Sequence, residues 1–406
     1  MSYRKKAFFG IGYLTLLNIF SQFFGLFKLF VIARILAPSD FGIFAIVTAI
    51  ITTFETLTET GFNYAAIQMN VSIKKIARTL LMVNIARGTV LCIITIVTAP
   101  ILSYFFKNSD LLMLLLLSSV IPLLRGFINP LTISFQKELE FNKVFLTQFI
   151  PIVVTVISSI YFVIYIHSAL ALLLGLIAGT ISEVVSSYFL AEISFKEPIA
   201  KIHIKSLFSY GKWITAGGLL TYLSTQIDNL FIGRFFGVGV LGLYDFAFKT
   251  ANLAFTQITD IVSRVAFPLY VKRKNDKNHL RNLFFQNVIG VSIPAFVIMI
   301  PLLLFPKDIL QLLFGPKWIA AALPLQILSI YGFFRAAIGP GGPLFLSIGK
   351  PDVLTKINTL NFILVIIFLY PFAKMFGVNG VAWSMTLSYL IITPIYIYFS
   401  VKYFKN

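Results

Sequence analysis

Long apolar stretches follow one another along the whole chain, parted by short polar turns. Twelve can be marked, over roughly 11–36, 41–66, 79–105, 111–134, 145–166, 168–190, 207–236, 241–268, 283–305, 318–347, 353–372 and 377–400. Each reaches or approaches the ~20 residues that a helix needs to cross the hydrocarbon of a bilayer. In lipid, only helices satisfy their own backbone within segments of this length. The pattern therefore predicts an all-α membrane protein with about 12 transmembrane helices. Composition agrees. Of 406 residues 58% are hydrophobic and 12% charged, against about 25% charged in a soluble domain.

The charge that remains is unevenly placed. One set of loops, with both termini, carries nineteen Lys and Arg residues, from Arg4 and Lys5 to Lys402 and Lys405. The other set carries six: Arg34, Lys107, Arg234, Lys307, Lys317 and Lys374. The positive-inside rule then puts both termini in the cytoplasm and accounts for much of the net charge of +18. No nucleic-acid-binding motif accompanies that charge, so nucleic acid is not an expected partner. Arg4–Lys5–Lys6 precedes an apolar run too long for a signal peptide and without a small-residue cleavage site, which reads as an uncleaved first span.

The longest cytoplasmic loop, 191–206, parts the spans six and six. It predicts an N-terminal lobe over 1–190, a linker and a C-terminal lobe over 207–406. A faint repeat at an offset of 200 supports the division. Ile32, Arg34, Gly42 and Phe44 match Ile232, Arg234, Gly242 and Tyr244, at equivalent outer hairpins. Six spans per half insert the two halves the same way up, so their relating axis runs along the membrane normal. Two pseudo-symmetric six-helix lobes around a central cavity follow.

Charges deep within the spans carry the functional signal. Lys28, Arg87, Arg125, Lys249, Arg264 and Arg335 lie there, with Glu55, Glu59, Glu183, Asp228 and Asp260 at similar depth. Each would cost roughly 2.5–3.5 kcal/mol at the bilayer centre on insertion scales. They must face one another or a watered cavity. The basic set suits an anionic cargo, because arginine forks match phosphate oxygens and lysine adds a point charge. The alternative is structural: snorkelling, or neutralisation of nearby acids. Glu55 and Glu59, one helical turn apart, suit ion coupling or ion pairing. Asp228 and Lys28 match at the repeat offset and could pair across the lobes. Asp260 and Arg264, at i and i+4, are placed to pair within one helix. Gly339–Pro340–Gly341–Gly342–Pro343 interrupts span 10 as a hinge or a packing bend.

Cys92 stands alone, so no intrachain disulfide can form, and three scattered histidines suggest no metal cluster. No phosphate loop, nucleophile elbow or zinc-binding histidine pair is present, so no enzyme is expected. No resident cofactor is expected either, beyond a coupling H+ or Na+ whose identity the residues leave open. 

The hairpin Ile32–Phe44 (IARILAPSDFGIF), the stretch Glu59–Gln68 (ETGFNYAAIQ), Asp228–Gly233 (DNLFIG) and Leu241–Tyr244 (LGLY) resemble the polysaccharide-transporter family of Wzx-type bacterial flippases. That family belongs to the multidrug/oligosaccharidyl-lipid/polysaccharide superfamily. Glu59–Thr60–Gly61 stands where the family commonly has Asp and Gly, a mild departure. The resemblance implies two six-helix lobes, alternating access, and export of undecaprenyl-diphosphate-linked oligosaccharide from the cytoplasmic to the periplasmic leaflet of the bacterial inner membrane. Membrane lipids and other polysaccharide-assembly proteins are the further partners it implies. Two rivals remain. A multidrug or cation antiporter of the same superfamily should have a cavity dominated by acids, particularly on spans 1 and 2, and span 1 here carries Lys28 instead. A membrane-embedded glycan polymerase should carry a large outer loop, and the outer loops here are short.

Overall fold

The computed structural model describes residues 3–58, 73–191, 222–223, 225–273 and 275–405. The chain divides into two compact units, Met1–Leu223 and Ser224–Asn406. The expected linker 191–206 lies, apart from Ala191, outside the described residues.

In the first unit the helices are α1 (Tyr3–Ile35), α2 (Pro38–Leu57), α3 (Ile73–Phe106), α4 (Asp110–Gly126, stepped at Ser119), α5 (Phe141–Ile166) and α6 (Ala169–Leu190). The second unit has α7 over 225–235, then α8 (Val238–Arg273), α9 (Lys277–Leu304), α10 (Pro316–Ser347), α11 (Pro351–Phe376) and α12 (Val378–Lys405). Each of the twelve expected spans thus has helix among its described residues. Among the described residues nine helices are long and apolar enough to cross a membrane, or ten with the bent α4. The chain is a multi-pass membrane protein. Large apolar side chains such as Phe23, Val97, Ile101, Ile293 and Ile367 stand exposed along these helices, as lipid-facing surfaces require.

Two departures from the expected spans have local causes. Span 4 is not one straight rod: Asp110–Gly126 meets Pro130–Lys137 at 61°. Proline disfavours helical geometry in the residue before it, and Asn129 is extended at φ −64° and ψ 115°. The exposed backbone is then satisfied internally. The Asn129 N–H donates to Ser187 Oγ of α6 at 3.0 Å, and Leu131 N–H donates to Asn129 Oδ1 at 3.0 Å. Span 2, expected to reach 66, closes its helix at Leu57, and residues 59–72 lie outside the described residues.

The break in α10 is smaller than a five-residue interruption. Helix Ala322–Ile338 resumes at Gly341 after Gly339–Pro340, both of which keep right-handed helical dihedrals. A Cβ at Gly339 would run into Thr259 of α8, and one at Gly341 into Tyr396 of α12. These glycines admit close neighbours. Pro343 sits in the first turn of the resumed helix, where its missing N–H costs nothing.

The α1–α2 hairpin turns on one carboxylate. Pro38 occupies the first turn of α2, whose fixed φ favours helix initiation. Asp40 Oδ2 accepts from the Ala37 N–H at 3.0 Å, and its Oδ1 accepts from the Ala169 N–H at the start of α6, also at 3.0 Å. One side chain therefore serves two helix starts. Each cap is worth roughly 1 kcal/mol. Asp40→Ala should cost about 2 kcal/mol, seen as a lower melting temperature in detergent, whereas Asp40→Asn should recover part of it. Equal melting of Asp40→Ala and wild type would contradict the double cap.

Candidate functional site

In the first unit the ionisable side chains converge because α3 and α4 cross at glycines. A Cβ on Gly88 would strike the Pro122 carbonyl, and one on Gly126 would lie 2.7 Å from the Asn84 carbonyl. Small residues let helix backbones approach in a membrane. Each of these glycines follows an arginine, so the crossing brings Arg87 and Arg125 to one place. There the Arg125 guanidinium donates to Glu55 Oε2 in an ion pair. Arg87 Nη2 donates to the Glu55 backbone carbonyl at 2.6 Å, and its Nε to Thr58 Oγ1 at 3.0 Å. The Glu183 carboxylate of α6 lies within electrostatic reach of both Arg125 and Glu55. The Glu55 side chain is 18% exposed and that of Arg125 39%. Two arginines and two carboxylates from four helices thus largely compensate one another.

In the second unit, Asp228 of α7 is 1% exposed. Its Oδ2 accepts from the Tyr244 hydroxyl of α8 at 2.8 Å, and its Oδ1 from the Asn229 N–H at 2.9 Å. Both bonds lie inside its own unit. A buried carboxylate left short of a donor costs about 1–3 kcal/mol or more. Tyr244→Phe should therefore lower the detergent melting temperature more than Tyr398→Phe, whose side chain is 60% exposed. Equal shifts would show that this bond contributes nothing. Lys249 donates to Asp245 Oδ2 at 2.6 Å, an i, i+4 pair along α8. Asp245 is buried and was not foreseen from the sequence.

Arg335 differs from Arg125 and Lys249. Its Nη1 donates to the neutral Asn252 Oδ1 of α8 at 2.7 Å, and Tyr331 is a second neutral partner. No carboxylate among the described residues lies within 4.0 Å of it. It borders a cavity of about 220 Å³ together with Asn252, Thr256, Asp260, Asn358 and Tyr389. Asp260 interacts with it through space without forming an ion pair. The cavity wall on α8 is a polar stripe, Asn252–Thr256–Thr259–Asp260, at i, i+4, i+7 and i+8. That spacing was visible in the sequence and marks one helix face. Arg335 thus combines a positive charge, neutral hydrogen-bond partners and an adjoining cavity with a polar stripe on one wall.

The remaining predicted residues are placed as follows. Lys28 is half-buried on α1 and engaged in an interaction of its own. The backbone of Arg264 belongs to α8, but its side chain lies outside the described residues, as do Glu59 and the proposed Asp260–Arg264 pair. Gly342 has open space beside it. Among the described residues no group of three or more His, Cys, Asp or Glu is placed to hold a metal ion.

A family model described as "Polysaccharide biosynthesis protein" matches residues 31–323, about three quarters of the chain. The chain belongs to this family. Lipopolysaccharide biosynthesis protein WzxC of Escherichia coli (strain K12) is 26% identical over 410 residues, spanning 99% of this chain and 82% of that protein. The solved structure titled "Lipid II flippase MurJ, inward closed conformation" superposes with a TM-score of 0.77 at 16% identity, covering 96% of this chain and 87% of that one. An inward-facing multidrug resistance MATE family transporter gives a TM-score of 0.69 at 12% identity, covering 98% of both chains. The chain therefore has the fold that these two structures share, that of the multidrug/oligosaccharidyl-lipid/polysaccharide superfamily.

Proposed function

We propose that this polysaccharide biosynthesis protein is a flippase for an undecaprenyl-diphosphate-linked oligosaccharide, moving it from the cytoplasmic to the periplasmic leaflet by alternating access. The observation that carries the reading is Arg335: a guanidinium bordering a cavity of mixed polar and apolar lining, bonded to neutral groups. A diphosphate is the kind of anion that such a group recognises, bidentately and at low dielectric. Arg87 and Arg125 serve first to compensate Glu55 and Glu183 and hold four helices together. In this reading they bind cargo only when a conformational change frees them. The similarity to WzxC, a lipopolysaccharide biosynthesis protein, supports a glycan cargo. The location would be the bacterial inner membrane, with both termini cytoplasmic on the loop-charge argument. Directionality requires an ion or the cargo to bind one access state better than the other, and Glu55, Asp228 and Asp260 supply titratable carboxylates for an H+ or Na+.

The purified protein in vesicles, given a fluorescent lipid-linked oligosaccharide, should expose it to an impermeant quencher faster than protein-free vesicles do. Equal rates would remove the proposal. The match to a MATE transporter favours one second reading, a drug or cation antiporter. Efflux of a cationic dye without oligosaccharide movement would select it.

A further inference from the structure

A second basic feature lies at one edge of the second unit, away from Arg335. Lys277 opens α9, Lys350 directly precedes α11, and Lys402 lies near the end of α12. In an antiparallel run of spans, these positions share one membrane face. It is the face on which Lys and Arg concentrate along the whole chain. The three lysines border a cavity of about 360 Å³ with Phe345, Phe399 and Tyr403. That volume falls within the roughly 300–1,000 Å³ typical of small-molecule sites.

None of the three has a carboxylate within 4.0 Å among the described residues. The nearby acids are already engaged: Asp276 caps α9 through the His279 N–H, and Asp352 faces Lys356. The ammonium groups rest instead on aromatic rings. Lys277 and Lys350 lie 5.9 and 5.2 Å from the centre of the Tyr403 ring, and Lys402 lies 5.8 Å from that of Tyr398. Cation–π contacts of this kind are weak at exposed sites and yield to a better anion. One turn along α12, Tyr398 is 60% and Phe399 38% exposed, an apolar surface leading from the lysines toward the membrane interior.

From this arrangement we propose that the cavity is a binding site for the phosphate of a resident anionic glycerophospholipid, with the acyl chains lying along Tyr398 and Phe399. The apolar surface beside the lysines favours a lipid over a free phosphate. The proposal stands apart from any cargo that the protein moves.

Native mass spectrometry of the detergent-purified full chain tests it. Three probes are needed: dioleoyl phosphatidylglycerol, dioleoyl phosphatidylcholine and glycerol 1-phosphate. Phosphatidylglycerol should stay bound, and the other two should not. A lysine beside an anionic headgroup contributes about fivefold in affinity, so the triple change Lys277→Gln, Lys350→Gln and Lys402→Gln should weaken binding roughly a hundredfold. The triple variant should melt like the wild type when no lipid is added. If it fails to fold, the single variants Lys350→Gln and Lys402→Gln decide the matter, each with an expected loss of about fivefold. The proposal is overturned by unchanged affinity in the variants or by equal binding of phosphatidylcholine. Glycerol 1-phosphate bound as tightly as the lipid would overturn it too, marking a site for soluble phosphate.

Discussion

Arg335→Ala will slow movement of a lipid-linked oligosaccharide by at least about tenfold while leaving the fold intact. A charge-assisted contact contributes roughly 1.5–3 kcal/mol, and tenfold corresponds to about 1.4 kcal/mol. The expected tolerance of the fold follows from what Arg335 touches. Its partners are the Asn252 amide and Tyr331, both neutral, so the truncation strands no paired carboxylate. Arg125→Ala differs, because it leaves Glu55 without its ion-pair partner in a half-buried site, and loss of one partner of a buried pair is strongly destabilising. Arg335→Lys should recover part of the rate, since lysine keeps the charge but not the planar fork. Transport and melting measured on the same preparations separate the two effects. Wild-type transport by Arg335→Ala would remove the phosphate-binding role and leave the residue a strut between α8 and α10.

The second large effect is expected at a residue with no charge. Gly88→Val should lower the melting temperature sharply and abolish transport. Its Cβ would strike the Pro122 carbonyl, and a backbone carbonyl inside a helix cannot swing aside as the end of a flexible side chain can. Overpacking of this kind costs about 1–3 kcal/mol, sometimes more. Relief would come from parting α3 and α4, which carries Arg87 and Arg125 away from Glu55. Gly126→Val should act in the same way, because its Cβ meets Asn84 from the other side of the crossing. Gly290→Ala on α9 is the internal control. Nothing lies within 4 Å of its added Cβ, so the change should be neutral or stabilise the helix by about 0.5–1 kcal/mol. A Gly88→Val protein that melts and transports like the wild type would show that the crossing does not hold the cluster together.

Much of the site was legible in part. The depth of Arg87, Arg125, Lys249 and Arg335 in apolar segments required partners or water, and each has them. Which cation would stay without an acid was not legible. Arg125 meets Glu55 across 70 residues of chain, whereas Arg335 meets Asn252 across 83. Nothing local to either arginine distinguishes a carboxylate partner from an amide. Two signals of the site do lie in the sequence: the Arg–Gly pair repeated at 87–88 and 125–126, and the polar stripe from Asn252 to Asp260. Asp40 shows the same boundary. Its cap on α2 is a short-range pattern, but its second bond, to Ala169, joins helix starts 129 residues apart.

The sequence alone determined that the chain crosses a membrane repeatedly, and nearly where. Hydrocarbon accepts only long apolar helices, and that requirement is written locally in every span. It also determined that buried charge must be compensated, because an isolated ion in lipid is too costly. Tertiary structure decided the pairing. Glycines set how closely α3 and α4 approach and so brought Arg87 and Arg125 to Glu55, whereas the packing of α8 on α10 gave Arg335 an amide and open volume instead. Such choices depend on distances between helices remote in sequence, and no local pattern encodes those distances.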